Sequence, residues 1–244
     1  MNGYGVAHDA EYPDHSGYLW HLTSNRNPLS PVEFGSQNRN VRGTTARHRL
    51  ISILTQATGP QIWCSHLHYM TPQFHNLHTP IRCVCFTECI PSSLAIHARR
   101  FSRWGLLFSK STAYLNGARP VWYMDDVLMN RFAQCHAPSQ RGNLSVLPFP
   151  EEYLHLLMPF VPEYGLRRMG GRTLDFSVER EWRARGDFNF TRDQLAAIIV
   201  PTEDDINPFV NENPMCHNLN FIVAEELHHT EIKHWDFNHF FRQI

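Results

Sequence analysis

Every apolar run in this chain is short, and turn-forming residues close it. Tyr18-Leu19-Trp20-His21-Leu22-Thr23 stops at Ser24-Asn25-Arg26-Asn27-Pro28, and Leu195-Ala196-Ala197-Ile198-Ile199-Val200 stops at Pro201. Short runs rich in aromatic and β-branched side chains, bounded by Gly, Pro, Asn or Ser, predict strands. Arg82-Cys83-Val84-Cys85-Phe86-Thr87, Leu106-Leu107-Phe108 and Pro120-Val121-Trp122-Tyr123-Met124 read the same way. Helical stretches lie between them. Leu50, Ile53 and Leu54 keep helical spacing within residues 45–57, ahead of Gly59-Pro60. Pro91 suits a first helical turn and opens a helix that carries Leu94, Ile96, His97 and Phe101 and ends at Gly105. A further short helix over 109–116 stops at Gly117, and the amphipathic stretches 126–136 and 150–160 predict helices. Residues 61–80 read mostly as loop, Gly170-Gly171 as a turn, 175–183 as a strand, and 221–227 as a strand or the start of a helix. No regular strand–helix beat emerges, so the expectation is an α+β fold and not a doubly wound sheet.

The chain has 244 residues, 42% of them hydrophobic, enough to build a core without metal or disulfides. Residues 1–17 read as an irregular arm, 18–201 as the folded domain, and 202–244 as a tail packed on that domain or binding a partner. The stretch Met1 to Tyr18 is polar, and no apolar run approaches the roughly 18–20 residues of a membrane span. The expectation is a cytoplasmic chain with no membrane partner and with its six cysteines reduced. A net charge of −1 gives no global field for nucleic acid. Sixteen histidines make the charge sensitive to pH between about 5 and 8.

The run Glu179-Arg180-Glu181-Trp182-Arg183 holds the most chemistry. In a strand, alternation puts Glu179, Glu181 and Arg183 on one side. Like charges in that setting repel unless a partner or a substrate compensates them. Paired carboxylates can hold a sugar hydroxyl and stabilise a developing oxocarbenium ion, as in cleavage of glycosidic bonds, including the N-glycosidic bond of NAD. The alternative is a solvated edge strand with an internal Glu–Arg ladder. His21 and Thr23 share a face of the first strand and can hydrogen-bond a ribose or carboxamide, or can simply face water. Thr87 ends a strand and can line a cleft. The competing reading has Glu88 help cap the helix that follows.

Other constellations stay open. Cys64, His66 and His68, with Cys83, Cys85 and Cys89, gather soft ligands, but their spacing is not that of structural zinc. Cys83 and Cys85 share a strand face where small side chains pack well. Cys89 with His97 sketches a Cys–His hydrolase. Arg99, Arg100, Arg103 and Lys110 make one basic stretch, and Arg167, Arg168, Arg172, Arg180, Arg183 and Arg185 another. Each is a phosphate-binding candidate or a solvated face.

The series Val84-Cys85-Phe86-Thr87-Glu88-Cys89-Ile90-Pro91, His97, Trp104-Gly105-Leu106-Leu107-Phe108-Ser109-Lys110, Gly117-Ala118-Arg119-Pro120-Val121-Trp122-Tyr123, Glu179-Arg180-Glu181-Trp182-Arg183 and Ile198-Ile199-Val200-Pro201 resembles bacterial phage-defence proteins of the AbiGi (abortive infection) type. More distantly it is similar to ADP-ribosyltransferases of the DarT and CmdT kind, which modify nucleic acid. The resemblance runs from about His21 to Pro201. It implies an ADP-ribosyltransferase-like split β-sheet with a central NAD cleft. It also implies NAD as co-substrate and a macromolecular target, nucleic acid first, in anti-phage defence or a toxin–antitoxin system. His21 and Thr23 would then hold one end of NAD, with Phe86 and Thr87 on the middle strand. Glu181 would be the catalytic carboxylate, with Glu179 second. His97 could orient the nucleophile, and Arg100 and Lys110 could meet the pyrophosphate. An antitoxin or chaperone is an implied protein partner. The middle strand lacks the tyrosine that H-Y-E transferases carry there. The alternative on the same fold is a non-catalytic antitoxin, immunity or phage-sensing protein.

Overall fold

The computed structural model describes residues 16–23, 45–66, 82–88, 98, 102–124, 127–128, 131, 156–159, 166–169, 172–175, 180–228 and 241–243. Among the described residues, the main sheet draws on strands from both ends of the chain. These are β1 (Tyr18–Leu22), β3 (Ser65–His66), β4 (Arg82–Thr87), β5 (Gly105–Ser109), β6 (Ala118–Pro120), β11 (Glu181–Arg185), β13 (Ala197–Val200) and β14 (Phe221–Val223). Their order is β14-β13-β5-β1-β4-β11-β6, with β3 also on β4. All neighbours run antiparallel except β13 and β14, which are parallel. Smaller pairs complete the description. β2 (Gln61–Ile62) pairs with β12 (Phe188–Asn189), β7 (Trp122–Met124) with β8 (Leu157–Pro159), and β9 (Leu166–Met169) with β10 (Arg172–Asp175). The expected α+β class holds.

The sheet is not evenly zipped. Strand β1 meets β5 along its whole length, from Tyr18 opposite Ser109 to Leu22 opposite Gly105. It meets β4 at one register pair only, Trp20 opposite Thr87. At the other end of β4, the edge that β1 leaves is taken by β3, where Ser65 faces Cys83. The β1–β4 junction is therefore the shortest pairing within one continuous sheet.

Period-two alternation assigns side chains to the two faces. Leu19, Val84, Phe86, Leu106, Phe108, Ala184, Ile198, Val200, Phe221 and Val223 line the larger core. It is covered by helix α1 (Ala46–Leu54) through Leu50, Ile53 and Leu54, and by helix α3 (Ile206–Glu212) through Ile206, Phe209 and Val210. Trp20, Leu107, Ala197, Ile199 and Ile222 line the other face with Ala224 and Leu227. Helix α1 begins where the Thr45 hydroxyl accepts the His48 N–H, a side-chain cap for an otherwise orphaned donor. Helix α2 (Lys110–Leu115) begins with the same device, the Ser109 hydroxyl accepting the Thr112 N–H, and ends at Gly117, where φ is +92°.

Several expectations change. Gly105 is not a helix stop but the first residue of β5. A Cβ there would lie 2.7 Å from the His21 carbonyl oxygen, so a glycine is what lets β5 lie against β1. The strand expected over 120–124 is broken at Val121, whose N–H turns to the Glu181 carbonyl at 2.8 Å. Within 150–160, Leu157–Pro159 forms a strand parallel to β7, because the open edge of β7 offers backbone partners that an isolated amphipathic turn lacks. Within the strand expected over 175–183, residues 176–179 lie outside the described residues and β11 begins only at Glu181, because Arg180 has φ +42° and does not continue an extended chain. The first part of the tail is also built in, since β14 extends the main sheet beside β13. The helix expected from Pro91 lies outside the described residues apart from helical Ala98.

Candidate functional site

Strand β11 starts at Glu181, and the structure seats it with care. Arg180 enters from a left-handed conformation, and its carbonyl accepts the Glu88 N–H at 3.2 Å. The Glu181 N–H donates to the Tyr123 hydroxyl at 3.1 Å. Non-glycine residues at positive φ are uncommon, and the strain persists only where the surroundings over-determine it. Here those surroundings are the ends of β4, β7 and β11.

The Glu181 side chain is 9% exposed, and both its oxygens are engaged. Arg183 Nε donates to Oε1 and Arg183 Nη2 to Oε2, each at 2.8 Å. Arg183 is 1% exposed. The planar guanidinium fork matches the carboxylate and leaves its plane little freedom. The neighbouring carboxylate raises the Arg183 pKa despite burial, which acts in the other direction and is the larger single influence. The expected grouping of Glu181 and Arg183 on one strand face therefore holds as a direct contact.

Across the sheet, Glu181 stands opposite Thr87, Thr87 opposite Trp20, and Trp20 opposite Leu107. This row contains the one register pair that joins β1 to β4. Thr87 is partly exposed within it.

His21 sits one residue further along β1 and so emerges on the opposite face from Trp20 and Glu181. Its ring packs edge-on to Phe86 at 6.0 Å, and its Nδ1 lies 2.9 Å from the Cys85 carbonyl, bridging the gap between the diverging strands. Burial lowers its pKa more than that hydrogen bond raises it, favouring the neutral ring with Nδ1–H as donor. Thr23 is buried, and its hydroxyl donates toward the carbonyls of Ala46 and Trp104, at 2.9 and 3.0 Å. His21 and Thr23 thus bind the fold's own backbone. Phe86 is 1% exposed and packs on Phe108 and Phe188, a core position and not a cleft wall. Lys110 reaches the Glu88 carboxylate at 2.7 Å. Glu179, His97 and Arg100 lie outside the described residues, as do Cys89 and His68 of the cysteine–histidine readings.

Two participants carried little sequence signal. Glu88 is 6% exposed and joins three elements: Oε1 takes Lys110 of α2, and Oε2 accepts the Trp182 indole N–H at 2.8 Å from β11. Only its position after a strand marked it. Tyr123 contributes through its hydroxyl to a backbone N–H 58 residues away, which no local pattern encodes.

Among the described residues no group of three or more His, Cys, Asp or Glu side chains is placed to hold a metal ion. No helix among them is long and apolar enough to cross a membrane. Comparison with family models, curated proteins and solved structures finds no match to this chain.

Proposed function

We propose that this chain is an NAD-dependent ADP-ribosyltransferase acting on a macromolecule, nucleic acid first, in bacterial anti-phage defence or a toxin–antitoxin system. The observation that carries the reading is the row Thr87–Glu181 beside the short β1–β4 pairing, with the carboxylate oriented by Arg183. A nearly buried, pre-oriented carboxylate stabilises positive charge best where water is excluded. Such charge develops on the ribosyl carbon as its bond to nicotinamide breaks and nicotinamide leaves with the electron pair. Thr87, partly exposed beside it, supplies a hydroxyl for a ribose. The bond that forms joins the ribosyl carbon to a target nucleophile, whose proton would pass to Glu179 or His97. In this reading His21 serves as a strut between β1 and β4 and not as a direct ligand.

A second reading has its own observation. Both Glu181 oxygens are already held by Arg183, as in a purely structural ladder. The chain would then be a non-catalytic antitoxin, immunity or phage-sensing protein.

Labelled NAD incubated with the protein and separated RNA, DNA and protein fractions distinguishes the two. Transfer is expected to label one fraction. It should fall at least a hundredfold in Thr87→Val, which leaves the ion pair intact, and in Glu181→Gln. Free ADP-ribose without a labelled target would replace transfer by hydrolysis. No NAD consumption by the unaltered protein would leave the binding reading.

A further inference from the structure

Two thiols share the face of the sheet that carries Glu181 and Arg183. Cys83 and Cys85 are two apart on β4, so alternation projects both the same way, and their sulfurs lie 3.6 Å apart. Arg183 is directly opposite Cys85 in register, and Arg185 opposite Cys83. Cys83 is buried, and Cys85 is partly exposed. We propose that this pair is a chelating dithiol that captures a trivalent, three-coordinate thiophilic centre of the arsenical class.

Geometry selects the ligand. With a centre–sulfur bond of about 2.3 Å, as for zinc thiolates, a 3.6 Å sulfur separation subtends about 100° at one atom. That is the angle of a pyramidal centre. A linear two-coordinate cation with bonds of about 2.3 Å would need the sulfurs about 4.6 Å apart. A tetrahedral cation would need further protein ligands, and no group of three or more candidates is assembled among the described residues. Cys64 packs against the larger core instead.

Charge selects in the same direction. Among the described residues, the ionised groups that shift the Cys85 pKa are Glu181 and Arg183, and these pair with each other. The adjacent Cys83 sulfur, and then burial, push the Cys85 pKa up, so it stays a thiol. A site of this kind favours a neutral product. An arsenical carrying two hydroxyl groups gives one. Two arsenic–oxygen bonds break and two arsenic–sulfur bonds form. Each thiol proton leaves with a hydroxide as water, and no oxidation state changes. Cys85, the more accessible thiol, reacts first, and Cys83 closes the ring.

The test uses phenylarsenous acid on the full chain under native conditions. One phenylarsenic group per chain is expected, resistant to excess 2-mercaptoethanol and removed by 2,3-dimercaptopropanol. Digestion without reduction should place it on the peptide containing residues 83–85, a readout that needs no variant. Cys83→Ala and Cys85→Ala should each lower retention at least tenfold, while Cys64→Ala should not. Uptake only in urea, attachment to another peptide, or full retention in both single variants would overturn the assignment.

Discussion

The Glu181–Arg183 pair concentrates two opposite charges where water barely reaches them. Removing one partner of such a pair strands the other, which typically costs about 3–5 kcal/mol, whereas replacing both with apolar groups costs far less. Glu181→Leu and Arg183→Met are each expected to lower stability by about that amount in urea titrations. The double variant should lose at least about 1 kcal/mol less than the sum of the singles. Strict additivity would show that the fork contributes nothing as a pair. His21 sets a different dependence. Its pKa in the fold lies below the ordinary 6.5, so the unfolded chain binds the proton more readily. Its contribution is fully present above about pH 6.5 and fades as pH falls below that value. Urea midpoints should therefore drop between pH 7.5 and 5, and His21→Asn should remove part of the drop. An unchanged slope in that variant would place the sensitivity in other histidines.

At the scale of the elements, the strands were legible and their entrances were not. Short apolar and β-favouring runs bounded by turn residues located β1, β4, β5 and β13, the helical spacing of Leu50, Ile53 and Leu54 located α1, and the stop at Gly117 bounded α2. The reading failed where a backbone conformation is imposed by neighbours distant in sequence. Gly105 resembles a helix terminator in the linear text, and only the approach of β1 shows why it is glycine. Gly105→Ala would press a methyl to 2.7 Å from the His21 oxygen and 2.8 Å from the Leu22 side chain. A loss of about 1–3 kcal/mol is expected by chemical denaturation. Arg180 gives no hint of a left-handed residue, since arginine has no preference for that region. Arg180→Gly should exceed Arg180→Val in stability by about 1–2 kcal/mol, because a β-branched side chain tolerates positive φ least. Equal stabilities would mean that the backbone relaxes to an extended form there. Of the candidate site, the grouping of Glu181 with Arg183 could be read from alternation. The roles of Glu88 and Tyr123 could not, because they depend on which strands become neighbours.

Across the whole molecule, β1 and β4 join through Trp20 and Thr87, and one outer edge of the sheet is β14, far along the sequence from β1. Residues 202–244 read as a tail packed on the domain or binding a partner, and within them Phe221, Ile222 and Val223 are essentially inaccessible and pair with β13 in the main sheet. The apolar run was visible in sequence; its parallel pairing with β13 was not, since parallel neighbours need a long crossover and leave no hairpin signature. A chain ending at residue 220 is expected to lose cooperative thermal unfolding, measured by circular dichroism, because it bares the β13 edge and both cores. A sharp transition in that shortened protein would show β14 to be dispensable.

The bridge between Phe221 and Arg242 carries this one step further. The N–H and the C=O of Phe221 both bond the backbone of Arg242, at 2.8 Å, so the segment at Arg242 occupies the outer edge of β14. Without that partner, the flank of β14 would offer unpaired amides and carbonyls to the edge of a second copy.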